Sequence, residues 1–303
     1  MKLVDIVIVN WNTGNLLRNC LQSIFRSDLQ FINSVIVVDN HSSDDSCKEL
    51  PDEELLRVIE CDKNHGFGKA CNIGSEYAKS SYILFLNPDT IIEEKSITNA
   101  IKFMQLEKSV DIGICGIQLI YEDGVVSHSC SRFPSLFNQI VKILGLNKIF
   151  PILGAPMRDF NHLISRNVDQ VMGAFFLIRR EIFLANDGFD ERFFVYFEEV
   201  DLSKRVSQQG YSSYFLSDAK AVHIGGGSSQ NIKSKRLFYH LRSRILFFKK
   251  NHSFIEFLTL LLLTMFLEPL TRILFSLITF SFNEIIETVY AYYKLWKWFI
   301  IRA

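Results

Sequence analysis

The sequence contains no CxxC pair, and none of its six cysteines (20, 47, 61, 71, 115, 130) has a histidine partner at zinc-ligand spacing. That argues against a zinc ribbon or a disulfide scaffold and predicts buried, reduced thiols in a reducing cytoplasm. Net charge is also missing, with 33 Lys and Arg against 33 Asp and Glu, so the overall balance points to neither nucleic acid nor membrane. No internal repeat or low-complexity tract occurs, and "KLVDIVIVNWN" lacks the basic n-region and cleavage site of a secretory signal. The uncharged apolar stretch 257–267 of the tail stops at Glu268-Pro269, short of the roughly 20 residues of a spanning helix.

What is present is a 303-residue chain, 48% hydrophobic, ample for a large core. Its charges are unevenly placed. From Asn231 onward there are 11 Lys and Arg against 4 Asp and Glu, a basic tail suited to an anionic surface such as phospholipid. Within it, Glu268, Pro269 and Arg272 would sit near mid-bilayer in a spanning helix, which is costly. The tail therefore reads as two amphipathic helices in the interface, joined at Glu-Pro, with "KLWKWF" as anchors. A helical pair packed on the core or in a homodimer contact is the alternative.

The first 230 residues alternate strand and helix: "LVDIVIV", "SVIVVDN", "LRVIEC" and "YILFL" as strands, "LLRNCLQSIF" and "GKACNIGSEYAKS" as helices. This rhythm predicts an α/β fold with a largely parallel sheet covered on both faces. Polar residues gather just after the strands, where open α/β sheets bind ligands. A helix near 95–107, a strand at "DIGICGIQLI", an unassigned stretch near 125–170, and "QVMGAFFLIRREIF" as strand into helix follow.

Several of these polar residues are candidates for chemistry. Asp39 ends a strand before "HSSDDS", placed either to bind a nucleotide or to cap a helix. Gly66 and Gly68 in "NHGFGKACN" would let phosphate approach a helix N-terminus, though this is not a GxGxxG and a plain tight turn explains two glycines equally simply. Asp89 in "LNPDT" either caps an Asp-Thr turn or aims a carboxylate into the crevice, where hard cations pair such oxygens with ligand phosphates. His223 lies in the apolar strand "AVHIGGG", where a lone histidine is ordinarily a satisfied core residue, but the glycines after it permit close approach of a ligand. In "FFVYFEEVDLSKR", a helix over 198–206 buries Leu202 and Val206 and places Glu198 and Glu199 on either side of that sector. Asp201 points away, toward an i,i+4 pair with Arg205. Two like-charged carboxyls near an apolar wall have raised pKa values, as a general base needs. The plain alternative is a favourable charge at a helix start.

Together these segments resemble the family 2 inverting glycosyltransferases of GT-A fold, in particular the rhamnosyltransferase-like branch of bacterial surface polysaccharide synthesis. The resemblance covers roughly residues 3–230 and rests on "VIVNWNTGNLLRNCLQSI", "VIVVDNHSSDDS", "NHGFGKACNIG", "YILFLNPDT", "GAFFLIRREIF…DGFDERFFVYFEEVDLSKR" and "AVHIGGGS". It implies a GT-A domain over 1–230, a Rossmann-like, mostly parallel mixed sheet flanked by helices, and a membrane-associating helical tail over 231–303. It implies donor-nucleotide contacts at Asp39, Asn12, Asn64, Gly66 and Lys69, and a Mg²⁺ or Mn²⁺ ion at Asp89 with His223. Asn87 stands where the family's DxD-like motif has its first acid. Gly173, Ala174, Gly188, Phe189 and Asp190 would shape the sugar and acceptor pocket. Glu199, or its neighbour Glu198, would be the base, and Arg242 and Arg244 would meet diphosphate or lipid headgroups. The implied reaction moves rhamnose or another hexose from a dTDP- or UDP-linked donor to a lipid-linked acceptor on the inner membrane face. A sugar nucleotidyltransferase and a non-catalytic glycan-binding protein are the alternatives.

Overall fold

The computed structural model describes residues 2–48, 50–225 and 233–302, so Gly226–Ser228 of the glycine motif lie outside the described residues. In chain order the first half holds β1 (Val4–Asn10), α1 (Asn15–Phe25), β2 (Ile32–Asp39), β3 (Leu56–Glu60), α2 (Phe67–Ser75), β4 (Tyr82–Leu86), β5 (Thr90–Ile92), α3 (Ser96–Met104) and β6 (Ile112–Ile120). Then come β7 (Cys130–Ser131), α4 (Leu136–Ile143), β8 (Arg166–Val168), β9 (Gln170–Val171), β10 (Phe175–Arg179), α5 (Arg180–Ala185), α6 (Glu198–Gln208) and β11 (Ser212–His223). The tail holds α7 (Lys233–Asn251), α8 (Phe254–Leu262), α9 (Glu268–Ile278) and α10 (Phe282–Arg302).

The main sheet runs β3-β2-β1-β4-β10-β6-β11-β5, with β8 on β11. β1, β2, β3 and β4 are parallel, while β10 is antiparallel to both its neighbours. All seven residues of β1 are buried, the continuous pattern of a strand covered on both faces. α1 covers it with Leu17, Cys20, Leu21 and Ile24, the i, i+3, i+4, i+7 stripe of an amphipathic helix. The register pairs Asn10 with Asp39 and Asp39 with Glu60, so the parallel strands end level and their loops share one edge.

Two compact units result: residues 1–133, 160–191 and 198–228, holding the sheet, and residues 134–159, 192–197 and 229–303, mostly helical. The helical unit packs Leu241, Ile245, Met265, Tyr292 and Leu295 together.

The expected break at Glu268-Pro269 is absent. Residues Phe254–Ile278 form one helix, with a wide π turn at Leu263–Leu267. Pro269 lacks the N–H that an α-helix would use there, and a π turn just before it absorbs the missing bond and the ring. Glu268 does not break the helix either. It is buried and paired with Arg244 of α7, and with Arg272 Nη2 at 2.9 Å.

Candidate active site

Three loops at the carboxyl edge of the parallel strands carry most of the polar candidates. Asp39 Oδ1 accepts hydrogen bonds from Asn10 Nδ2 at 3.0 Å and Ser42 Oγ at 2.5 Å. Asn12, in the left-handed region at φ 52°, accepts at Oδ1 from the amides of Ser43 (2.7 Å) and Asp44 (3.3 Å). Asn64 Oδ1 accepts from the Gly66 amide at 2.9 Å and from Asn40 Nδ2 at 3.2 Å. Gly66, at φ 85°, starts α2 with no side-chain cap, leaving first-turn amides to point outward. Lys69 in that turn pairs with Glu191 at 3.1 Å.

Asp89 and His223 meet because β5 runs antiparallel to β11 with Thr90 opposite His223. His223 Nε2 lies 3.3 Å from Asp89 Oδ1, and the Ile224 amide donates to the Asp89 carbonyl. The 87–90 turn is pinned in place by Ala174, whose carbonyl accepts from the Asn87 amide at 3.1 Å and from Thr90 Oγ1 at 3.4 Å. Next along the chain, Gly173 borders the second carboxylate group: a Cβ there would stand 3.9 Å from Glu199 Cγ.

That group is the Glu198-Glu199 pair opening α6. Glu198 is 4% exposed, and Oε2 of each glutamate is buried with no hydrogen-bond partner among the described residues. Burial raises the Glu198 carboxyl well above the ordinary carboxylate range, and the Glu199 charge adds to it. Burial raises Glu199 too, opposed by its own backbone amide and that of Val200. Just before them, Tyr196 and Phe197 hold φ of 68° and 71°, two consecutive bulky residues in the left-handed region, a costly arrangement that clusters at functional sites. α2 reaches the same pair. Burial, then the charges of Glu198 and Glu199, push the Cys71 thiol up.

The donor set at Asp89 offers one carboxylate oxygen and one imidazole nitrogen, and no group of three or more His, Cys, Asp or Glu side chains forms a metal cluster among the described residues. Such a pair fits a hard divalent cation that draws its remaining ligands from a diphosphate and water. A zinc-type closed cage is not built here.

The family profile of glycosyl transferase family 2 matches residues 5–185. The chain belongs to glycosyl transferase family 2. It is 27% identical over 255 residues to rhamnosyltransferase WbbL of Escherichia coli K12, covering 80% of this chain and 90% of that one. It is 25% identical over 270 residues to the N-acetylglucosaminyl-diphospho-decaprenol L-rhamnosyltransferase of Mycobacterium tuberculosis, covering 83% and 85%. Among solved structures, the mannosyltransferase PcManGT of Pyrobaculum calidifontis, in complex with GDP-Man and Mn²⁺, superposes with a TM-score of 0.57 over 96% of this chain and 86% of that one, at 13% identity. The fold is that of a GT-A glycosyltransferase with a mixed sheet, and the protein is a glycosyltransferase.

Within the transferase, three residues differ from their expected settings. Asp201 does not point to solvent. It is 0% exposed and receives Arg205 Nε at 2.8 Å, while Arg205 also donates to the carbonyls of Asn186 and Gly188. The pair is a buried clamp on the 186–188 turn. Phe189 does not face a pocket: its ring is 2% exposed and packs on Phe85, Phe176 and Phe183. It shapes its loop through its backbone, since Asn72 accepts from the Phe189 amide at 2.9 Å and donates to its carbonyl at 2.8 Å. Gly188, at φ 67°, permits this approach, because a Cβ would come within 2.6 Å of Asn72 Oδ1. Asp190 follows, half-buried. Arg244 is the third. It is fully buried, donating to Thr264 Oγ1 at 2.8 Å and to Glu268, so no headgroup reaches it. Arg242 stands over the Trp298 ring and donates to the Arg192 carbonyl.

Sequence reasoning missed the framing residues Asn10, Asn40 and Asn72, and the bonds by which Arg205 reaches the 186–188 turn. Asn72 closes the motif "NHGFGKACN" as a polar residue among small ones. That was its only signal, since its partner Phe189 is remote in sequence.

Proposed function

We propose that this transferase moves rhamnose, or another hexose, from a nucleotide-diphosphate donor to a lipid-linked glycan acceptor in surface polysaccharide synthesis, at the cytoplasmic face of the membrane. The donor is dTDP- or UDP-linked. The observation that carries the reading is the Glu198-Glu199 pair: Glu198 buried and Glu199 half-buried beside Gly173, each with a buried oxygen lacking a hydrogen-bond partner among the described residues, kept basic enough to take a proton. The names of the two rhamnosyltransferase relatives support the sugar, and the decaprenol-linked substrate of one of them supports the acceptor class.

Glu199 is the base, because it is half-buried and borders the crevice at Gly173, whereas Glu198 is enclosed. Glu199 accepts the proton of an acceptor hydroxyl as that oxygen forms its bond to the anomeric carbon. The bond from that carbon to the diphosphate oxygen breaks with its electron pair, and the centre inverts. A neutral Glu198 lets Glu199 carry the single charge of the pair. Asp89 and His223 would hold a Mg²⁺ or Mn²⁺ ion, which when bound neutralises charge on the departing diphosphate. Asp39 accepts hydrogen bonds from the nucleoside, the α2 N-terminus with Gly66 and Lys69 faces the phosphates, and Asn12 and Asn64 keep those loops in shape.

Glu199→Gln tests the reading. Turnover should fall ~10²–10⁴-fold with donor affinity retained, by calorimetry with the nucleoside diphosphate. Unchanged turnover would reject Glu199 as the base.

A further inference from the structure

The helix over residues 254–278 buries or partly covers its polar residues and leaves a long apolar stripe outside. Its stripe Leu258, Leu262, Phe266, Leu270 and Leu274 is 40–65% exposed. The inward side holds Thr264, Glu268 and Ser276 beside Leu260 and Met265, all buried, with Arg272 partly covered. A helix facing water places its apolar stripe inward, so this order of faces asks for an apolar neighbour. The surface continues beyond the helix. Lys148 Nζ stands 3.3 Å from the Phe275 ring centre, and next to it Ile149, Phe150 and Ile152 are exposed. On α10, Ile286, Tyr290, Tyr293, Trp296 and Ile300 are exposed as well. Patches of this extent mark an interaction surface.

Charge selects the occupant. The helical unit carries 15 Lys and Arg against 5 Asp and Glu, net +10, and the sheet unit carries 18 against 28, net −10. A second copy of the same face would bring +10 against +10. An anionic leaflet instead offers acyl chains to the apolar stripe and negative headgroups to exposed Lys148, Lys249 and Lys297.

The mode follows from the Glu268 contacts. Glu268, at mid-helix, pairs with Arg244 of α7, and α7 also carries Lys233, Lys235, Arg236, Arg242, Lys249 and Lys250. A spanning helix would draw that seven-cation helix toward the bilayer centre, where each charge is costly.

We infer that helix 254–278 lies in the plane of one anionic leaflet without crossing it, and that residues 149–152 dock beside it. This rests on the lipid-linked acceptor reading, yet its test is separable. The full chain is floated with phosphatidylcholine vesicles and with vesicles containing phosphatidylglycerol. Binding should need the anionic lipid, weaken in about 0.5 M NaCl, and be released by alkaline carbonate. Leu262→Asn/Phe266→Asn/Leu270→Asn should lower vesicle affinity at least tenfold, and Ile149→Asn/Phe150→Asn severalfold. Both variants should keep the wild-type melting temperature and transfer to a water-soluble acceptor analogue. Resistance to carbonate would overturn the in-plane mode. Undiminished binding by the triple variant, or a dimer that it dissociates in the absence of vesicle binding, would overturn the docking surface. Vesicle binding without any transfer by the wild type would reject the acceptor reading and leave the docking surface standing.

Discussion

His223 Nε2 faces Asp89 Oδ1 at 3.3 Å across the β5–β11 pair. The three-residue β5 and the end of the long β11, from distant parts of the chain, thus place an imidazole beside the carboxylate that follows β4. In the proposed mechanism this pair would supply two ligands to a divalent cation, with the remaining ligands from the diphosphate and water.

Asp89→Asn should therefore abolish the stimulation of donor binding by Mn²⁺, while His223→Ala should weaken Mn²⁺ affinity by ~10–100-fold, the usual range for a group that ligates or orients a ligand. Calorimetric titration of Mn²⁺ in the presence of the nucleoside diphosphate measures both. Equal metal affinity in wild type and Asp89→Asn would remove Asp89 from the site.

Glu198 gives a stability prediction with a definite sign. Its carboxyl is raised above the ordinary value of 4.5 by burial and by Glu199, so the folded state favours the neutral form. That contribution is full below 4.5 and is lost as pH climbs toward the raised value. Glu198→Gln, neutral throughout, should match wild-type melting near about pH 4 and exceed it near about pH 8. Thermal melts across that range decide it, and parallel curves would refute the raised carboxyl.

Gly188→Ala should destabilise by more than ~1 kcal/mol, because alanine resists positive φ and its Cβ meets Asn72 Oδ1 at 2.6 Å. Combining it with Asn72→Ala should cost less than the sum of the single changes, since the clash disappears. Urea denaturation of the four proteins gives the coupling.

In the helical unit, Glu268→Ala should cost ~3–5 kcal/mol by leaving Arg244 buried without its carboxylate. Glu268→Met with Arg244→Met should recover most of that. Burial raises the Glu268 carboxyl, but Arg244 and Arg272 outweigh it and hold it at about 2. The stabilisation is therefore present above 4.5 and drains away as pH falls from there toward 2. Denaturation midpoints over that interval, absent the effect in the double variant, check the sign.

The strands and the acids at their ends were legible in the sequence because both are local. β1 is an unbroken buried run, and Asp39 and Asp89 follow directly on apolar strands. The start of α6 at Glu198 and the burial of Leu202 and Val206 were equally readable from helical spacing. The fate of individual charges was not. Asp201 lies on the side that periodicity assigns to solvent, yet the 186–188 turn covers it, with Arg205 bridging the two. The Glu-Pro that suggests a helix break is absorbed by a π turn and a buried ion pair.

By itself, then, the sequence determined the alternation of strand and helix and the row of carboxylates at the sheet edge, since each depends on neighbours within a few residues. Tertiary structure decided which carboxylates share a site, which guanidinium is buried and which helix face meets the outside. Those outcomes depend on strand register and on partners remote in the chain, and no local spacing encodes them.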